Sequence, residues 1–402
     1  MKKILSVLLV LAMILSFAAC GSEGGDEGNS DVKIGVILVG DENEGYTQAH
    51  IEGIKAAMAA TGITEDQVTW KYKIPENEQC YDEAASLADA GCSYIFSNSY
   101  SHQAYMQQAA AEFPDVTFIA LTGDTAKSSG LPNLKNAFPQ TYESRYVSGV
   151  VAGMKVKEMM DAGELKPENF DADGNVKIGY IGAFPYAEVV SGYTGFFLGI
   201  KSIVENVSME VQYTNSWFDL VGEGEAANSL MADGCVIIGQ HADSTGAPAA
   251  VQAAHSNGKN AYSVGYNVSM LSVAPDVALT SASNDWAVYY TYAFNAILNG
   301  EEIPTDWSEG YNEGAVCVTE LGTSCAEGTA DKVAEVEAAI KDGSLHVFDV
   351  NNFTVGGAHI SSYTDAYGMD GAEAIKDGYF AESTLRSAPY FDIRIDGIKE
   401  LN

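Results

Sequence analysis

Short apolar runs alternate with helical spacings along this chain, and the pattern occurs twice. Lys33-Ile34-Gly35-Val36-Ile37 is answered by Lys177-Ile178-Gly179-Tyr180-Ile181, and Gly53-Ile54-Lys55 by Gly199-Ile200-Lys201, at an offset of about 143 to 146 residues. After each unit comes a β-type run, Val68-Thr69-Trp70-Lys71-Tyr72 and Val211-Gln212-Tyr213-Thr214-Asn215. Then Ser86-Leu87-Ala88-Asp89-Ala90-Gly91-Cys92 is echoed by Ser229-Leu230-Met231-Ala232-Asp233-Gly234-Cys235, where a helix ends at glycine and feeds an apolar strand. The predicted order is β-α-β-α-β, twice. Apolar strands separated by helices indicate parallel sheets covered on both faces, so the fold class is α/β with two doubly wound lobes. In such sheets ligands sit beyond the carboxyl ends of the strands. The loops to read therefore begin at Val39, Ser97, Leu121, Gly182, Gly239 and Gly265.

At the amino end Lys2-Lys3 precedes an apolar run from Ile4 to Ala19 that stops at Ala18-Ala19-Cys20. The run is short for a membrane span, and small residues precede the cysteine, so residues 1–19 read as a signal peptide and Cys20 as a lipid-anchor site. Phe17 stands where the lipobox usually has Leu. Residues 20–31 are rich in Gly, Ser, Asp and Glu and read as a flexible tether, reaching roughly 35 Å at most. The expected location is the extracytoplasmic face of the cell membrane.

Charge narrows the function. Removing Lys2 and Lys3 with the signal takes the formal charge from −34 to −36, which argues against nucleic acid as a partner. With 47% hydrophobic residues the chain can bury two sizeable cores. Of the six cysteines, Cys92 and Cys235 read as buried small hydrophobes, while Cys317 and Cys325 are spaced to close a hairpin in an oxidising compartment. No zinc spacing, nucleophile elbow, Walker loop or dinucleotide fingerprint is present, so no cofactor, metal or catalytic residue is expected.

The candidate loops instead interleave aromatic side chains with amides and carboxylates, a pattern suited to a flat ligand with polar edges. They offer Asp41, Tyr46 and Thr47 after the first strand, Asn98 after the third and Asp124 after the fourth. The second half adds Trp217-Phe218-Asp219, His241 with Asp243, Asn267, and Asn284 followed by Trp286. Two rings stacked on a base contribute about 1 to 3 kcal/mol each, and a micromolar complex needs about 8 kcal/mol, so such a site with a few hydrogen bonds is sufficient.

These residues also carry a resemblance. Gly40-Asp41 with Gly45 through Lys55, Tyr142 through Gly149, Lys177 through Gly182, Ser216-Trp217-Phe218-Asp219 and Gly239 through Thr245 resemble the basic membrane protein (purine nucleoside receptor) family of ABC-importer substrate-binding lipoproteins. The resemblance implies a type I periplasmic-binding fold, lobes joined by three crossing strands, a purine between them and a permease as partner. It also implies lobes of residues 32–138 plus 285–310 and 139–284 plus 311–402. Nucleoside-binding members usually direct an Asp and a Lys at ribose, where this chain has Asn267 and Asn284-Asp285-Trp286. The resemblance therefore favours an adenine-type base over a nucleoside. The alternatives are a sugar or autoinducer receptor on the same fold, and a nucleoside-processing enzyme using Asp41 with Asp243 or Asp285. Within the tail, Ser387 to Asp392 reads as a strand packing on a lobe, of no assigned function.

Overall fold

The computed structural model describes residues 32–402, so the signal peptide, the tether and the Cys20 anchor lie outside the described residues. The first half builds a sheet from β1 (Ile34–Ile37), β2 (Val68–Lys71), β3 (Tyr94–Ser97), β4 (Thr117–Leu121) and β5 (Leu134–Ala137). The second half repeats it with β6 (Val176–Gly182), β7 (Val207–Tyr213), β8 (Ile237–His241), β9 (Tyr262–Tyr266) and β10 (Ala278–Asn284). Both sheets run 2-1-3-4-5 in their own strand order, and all these pairings are parallel. In each, the order reverses between the first and third strands, at β1/β3 and β6/β8, and the crevice opens at such reversals.

The intervening helices are α1 (Gly45–Thr61), α2 (Glu78–Asp89), α3 (Gln103–Glu112) and the short α4 (Ala126–Ser129) in the first half, then α5 (Thr141–Asp161) to α6 (Ala187–Lys201), α7 (Leu220–Ala232) and α8 (Gly246–Ser256). Helices α5 and α6 touch backbone to backbone. A Cβ at Gly149 would sit 2.1 Å from the Phe196 carbonyl oxygen, and one at Gly199 would sit 2.0 Å from that of Tyr146, so only glycine fits at the crossing.

The chain passes between sheets three times. It leaves the first after β5, returns after β10 through α9 (Trp286–Asn299) to add β11 (Asp306–Trp307) beside β5, and goes back to add β12 (Val316–Val318) antiparallel to β10. Helix α10 (Thr329–Lys341) then packs on α5. Helix α9 packs on α1 at Gly53, where a Cβ would meet the Trp286 side chain at 2.8 Å.

The tail departs from expectation. Ser387 to Asp392 forms no strand; Tyr390 and Phe391 are buried in irregular backbone whose amides donate to the Glu382 carboxylate at 2.6 and 3.0 Å. Satisfying those amides from a side chain replaces the ladder. A small hairpin, β13 (Ile375–Lys376) with β14 (Tyr379–Phe380), precedes it, and the strand that joins the second sheet is β15 (Ile398–Glu400), parallel to β7. The tail also grips the first sheet's side. Lys127 donates to the Leu385 carbonyl at 2.7 Å, Ser387 N–H donates to Asp306 at 2.9 Å, and Arg386 lies 3.5 Å from Asp124. Cys317 and Cys325 are free thiols, with Cys325 donating to the Leu279 carbonyl, so the hairpin disulfide is not formed.

Candidate functional site

A cavity of about 440 Å³ lies where the loops after β1 and β3 face those after β6, β7, β8 and β9. From the first lobe come Asp41, Glu44 and Tyr46, and from the second Phe184, Glu188, Trp217, Phe218, Asp243 and Tyr266, with Asn284 at a crossing segment. Helix α1 begins here because Glu44 caps it, accepting from the Tyr46 and Thr47 amides at 2.7 and 2.8 Å. An acidic cap satisfies amides that have no intrahelical partner.

The aromatic walls are held from behind. The Tyr46 hydroxyl donates to the Asn98 carbonyl, and its ring meets His50 edge-on at 4.6 Å. Phe184 stacks on Tyr186 at 5.1 Å and meets the half-buried Trp217 edge-on at 5.5 Å. Tyr266 lies over the guanidinium of Arg145, 3.7 Å from Cζ to ring centroid, while Arg145 Nη1 donates to the Gln240 carbonyl at 2.6 Å.

Acidic groups dominate the polar lining. Burial pushes the Glu188 carboxyl up to about 7, opposed by Arg145. Burial, with Glu44 and Glu223 nearby, raises Asp243 well above the usual carboxylate range. Burial also raises Glu44. The Lys73 ammonium, 2.5 Å away, instead holds Asp41 below its usual value. Neither Lys nor Arg lines this cavity, and the carboxyls that burial keeps protonated can donate as well as accept hydrogen bonds.

Of the residues expected from sequence, Asp41, Tyr46, Trp217, Phe218, Asp243 and Asn284 line this cavity. Others sit behind it. Thr47 is fully buried, and Asn98 accepts from the Val39 amide at 2.8 Å, so both brace the wall. His241 is buried beneath it, 3.3 Å from Glu188, and desolvation drives its pKa well below the ordinary value. Asn267 donates to Asp243 at 2.7 Å, orienting that carboxyl.

Three of the residues expected from sequence do not line this cavity. Asp219 caps α7, accepting from the Val221 and Gly222 amides. Trp286 is core, 1% exposed and stacked on His50 at 4.0 Å, because Gly53 lets α9 approach α1. Asp124 lines a neighbouring chamber beside Arg386. Glu44, Glu188 and Arg145 were not singled out as site residues. Glu44 and Glu188 carry a legible signal, each standing at or near a helix start directly after a candidate loop.

Among the described residues no His, Cys, Asp and Glu cluster could hold a metal, and no helix is long and apolar enough to cross a membrane.

Residues 31–347 match the family model described as ABC transporter substrate-binding protein PnrA-like. A purine-binding protein of Brucella abortus (strain 2308) is 31% identical, over 85% of this chain and 89% of its own length. A protein of Haloferax volcanii, named as a candidate ABC transporter glucose-binding protein, is 28% identical over 76% of this chain and 70% of its own. A solute-binding protein of Aeropyrum pernix K1 has the same fold, with a TM-score of 0.65 at 14% identity, over 82% of this chain and 94% of its own. The chain therefore belongs to the Bmp family and is an ABC transporter substrate-binding protein.

Proposed function

We propose that this protein captures a purine from the extracytoplasmic side and delivers it to the permease of an ABC importer, with an adenine-type base favoured over a nucleoside. The observation that carries the reading is the convergence of Tyr46 from one lobe with Trp217, Phe184 and Tyr266 from the other on a cavity rich in carboxyl groups. Flat rings suit aromatic walls, and the amino and ring N–H groups of a purine suit Glu44, Glu188 and Asp243. A free base keeps an imidazole N–H that a nucleoside has lost to its sugar. Asn267 and Asn284, at the places where ribose partners are expected, are engaged with Asp243 and Thr141. The Brucella abortus relative's name gives it as purine-binding, which agrees.

In this reading residues 32–138 plus 285–310 and residues 139–284 plus 311–402 close on the ligand, which stabilises the closed form only through contacts to both at once. Residues 1–19 direct export, and a lipid on Cys20 anchors the tethered receptor.

A sugar is the second reading, because the Haloferax volcanii relative is named for glucose. Thermal unfolding of ligand-stripped protein separates the two. At a hundred times its dissociation constant a ligand stabilises by about 2.7 kcal/mol, so adenine should raise the melting temperature by several degrees while glucose leaves it unmoved. The reverse pattern would overturn the proposal.

A further inference from the structure

The chain beyond residue 347, where the family match ends, is fastened to the second lobe. Tyr390, Phe391, Ile393 and Ile395 join that lobe's apolar core, β15 extends its sheet beside β7, and Glu400 accepts from the Tyr193 and Tyr213 hydroxyls at 2.9 and 2.6 Å. With that anchorage the tail needs nothing from the first lobe to stay folded. Residues 385–387 nevertheless reach across to it through polar groups. Lys127 of α4 donates to the Leu385 carbonyl at 2.7 Å, Asp306 of β11 accepts from the Ser387 amide at 2.9 Å, and Arg386 lies 3.5 Å from Asp124. The reach runs beside the hinge. Asp306 stands one residue before Trp307, whose carbonyl accepts from the Phe138 amide at 3.0 Å, and the Glu309 carbonyl accepts from the Gln140 amide at 2.9 Å, so two crossing segments are paired here. The tail adds a non-covalent connection to the three covalent ones.

Its chemistry suits a contact that breaks and re-forms. Lys127 Nζ lies 3.2 Å from Asp306, and both belong to the first lobe, so when the lobes part the carboxylate keeps its cation. On the tail's side Arg386 keeps the Ala388 and Pro389 carbonyls, which accept from it at 3.1 and 3.2 Å. What passes to water is one amide, one carbonyl and the outer face of a guanidinium, all of which water satisfies at modest net cost. Neither half strands a buried charge without a partner. An apolar seam in the same place would expose hydrophobic surface at every opening and resist separation.

We propose that residues 385–387 form a reversible strap beside the hinge, which restrains the lobes from parting in the ligand-free protein. This rests on the lobe closure proposed above, and it makes the tail, as well as the ligand, a determinant of how open the resting receptor is. A ligand then has less of the closing left to drive, while a strap that must release slows its entry.

The test is small-angle X-ray scattering, with and without adenine, of the wild type, Lys127→Ala and the double variant Lys127→Ala/Asp306→Ala, with amide hydrogen exchange alongside. The Lys127 side chain is 55% exposed, so its replacement probes the strap with the packing intact even where loss of the nearly buried Asp306 impairs folding. Both ligand-free variants should expand, the double variant by about 1 Å from the radius of gyration of roughly 21 Å expected of a compact chain of this length. Adenine should return them to the wild-type liganded value, and the Phe391 amide, held by Glu382, should stay protected. Contraction of all three proteins by adenine, with no ligand-free expansion in either variant, overturns the strap and leaves the closure reading standing. Expansion that adenine does not reverse supports the strap and contradicts adenine as the closing ligand. Expansion with loss of protection at Phe391 overturns the strap, because the tail has then come away from its own lobe. Scattering that neither the substitutions nor adenine alter overturns both readings together.

Discussion

Arg145 lies with its guanidinium carbon 3.7 Å from the centroid of Tyr266, which places a fully buried cation directly behind a wall of the ligand cavity. A desolvated cation over a ring is worth about 2 kcal/mol or more, and the same side chain satisfies the Gln240 carbonyl. Arg145→Met should therefore lower the melting temperature by several degrees and weaken purine binding about tenfold, because Tyr266 loses its support. Thermal unfolding together with titration checks both effects; unchanged affinity would show that the ring is positioned without the cation.

Two tryptophans separate binding from stability. Trp217 is half-buried at the cavity, so Trp217→Ala should cost about 1 to 3 kcal/mol in affinity with little change in stability. Trp286 is buried against His50, so Trp286→Ala should destabilise the fold by about 3 to 5 kcal/mol. Urea denaturation and titration of each variant would reverse these assignments if Trp286→Ala proved stable and binding-defective.

The acidic lining makes stability depend on pH in a stated direction. Glu188 has a folded-state pKa of about 7, above its ordinary 4.5, because burial disfavours the charged form. The folded state thus holds the proton more tightly than the unfolded one. The stabilisation is fully present below about pH 4.5 and is lost as pH rises through about 7. Glu143, Glu223 and Glu382, each also raised by burial to about 7, add to the same slope. Buried His241, whose pKa is lowered by desolvation, acts in the opposite sense over this window, so the Glu188 contribution is read as a difference: from pH 5 to 7 the melting temperature of the ligand-free wild type should change in a more downward direction than that of Glu188→Gln.

The tail depends on one carboxylate. Glu382 accepts from the Tyr390 and Phe391 amides and from Ser191. Glu382→Ala would strand buried donors at about 1 to 3 kcal/mol each. The variant should unfold earlier in urea, and protease should cut first within residues 383–397. Wild-type resistance would show that the tail is held by its apolar contacts alone.

The repeat of Lys33 to Ile37 at Lys177 to Ile181 made both sheets legible, because strand and helix periods are local properties of the sequence. The cleft was partly legible for the same reason, since Tyr46 in the first turn of α1 and Trp217 and Asp243 in loops all follow strand ends whose position is set by strand order. The rest was set by distant packing. Trp286 reads like a loop aromatic until Gly53, far away in sequence, gives α9 room to bury it. Asp219 reads like a ligand contact from its loop alone, and the structure adds that it caps α7. Burial of Tyr390 depends on a carboxylate eight residues away that no strand period reveals.

The most direct measurement is calorimetric titration of residues 32–402, stripped of ligand by unfolding and refolding, with adenine against the wild type and Trp217→Ala. The account predicts one site per chain with affinity in the micromolar range or tighter, weakened about tenfold or more in the variant. Absence of heat with adenine and with every other purine, alongside saturable binding of glucose, would contradict it.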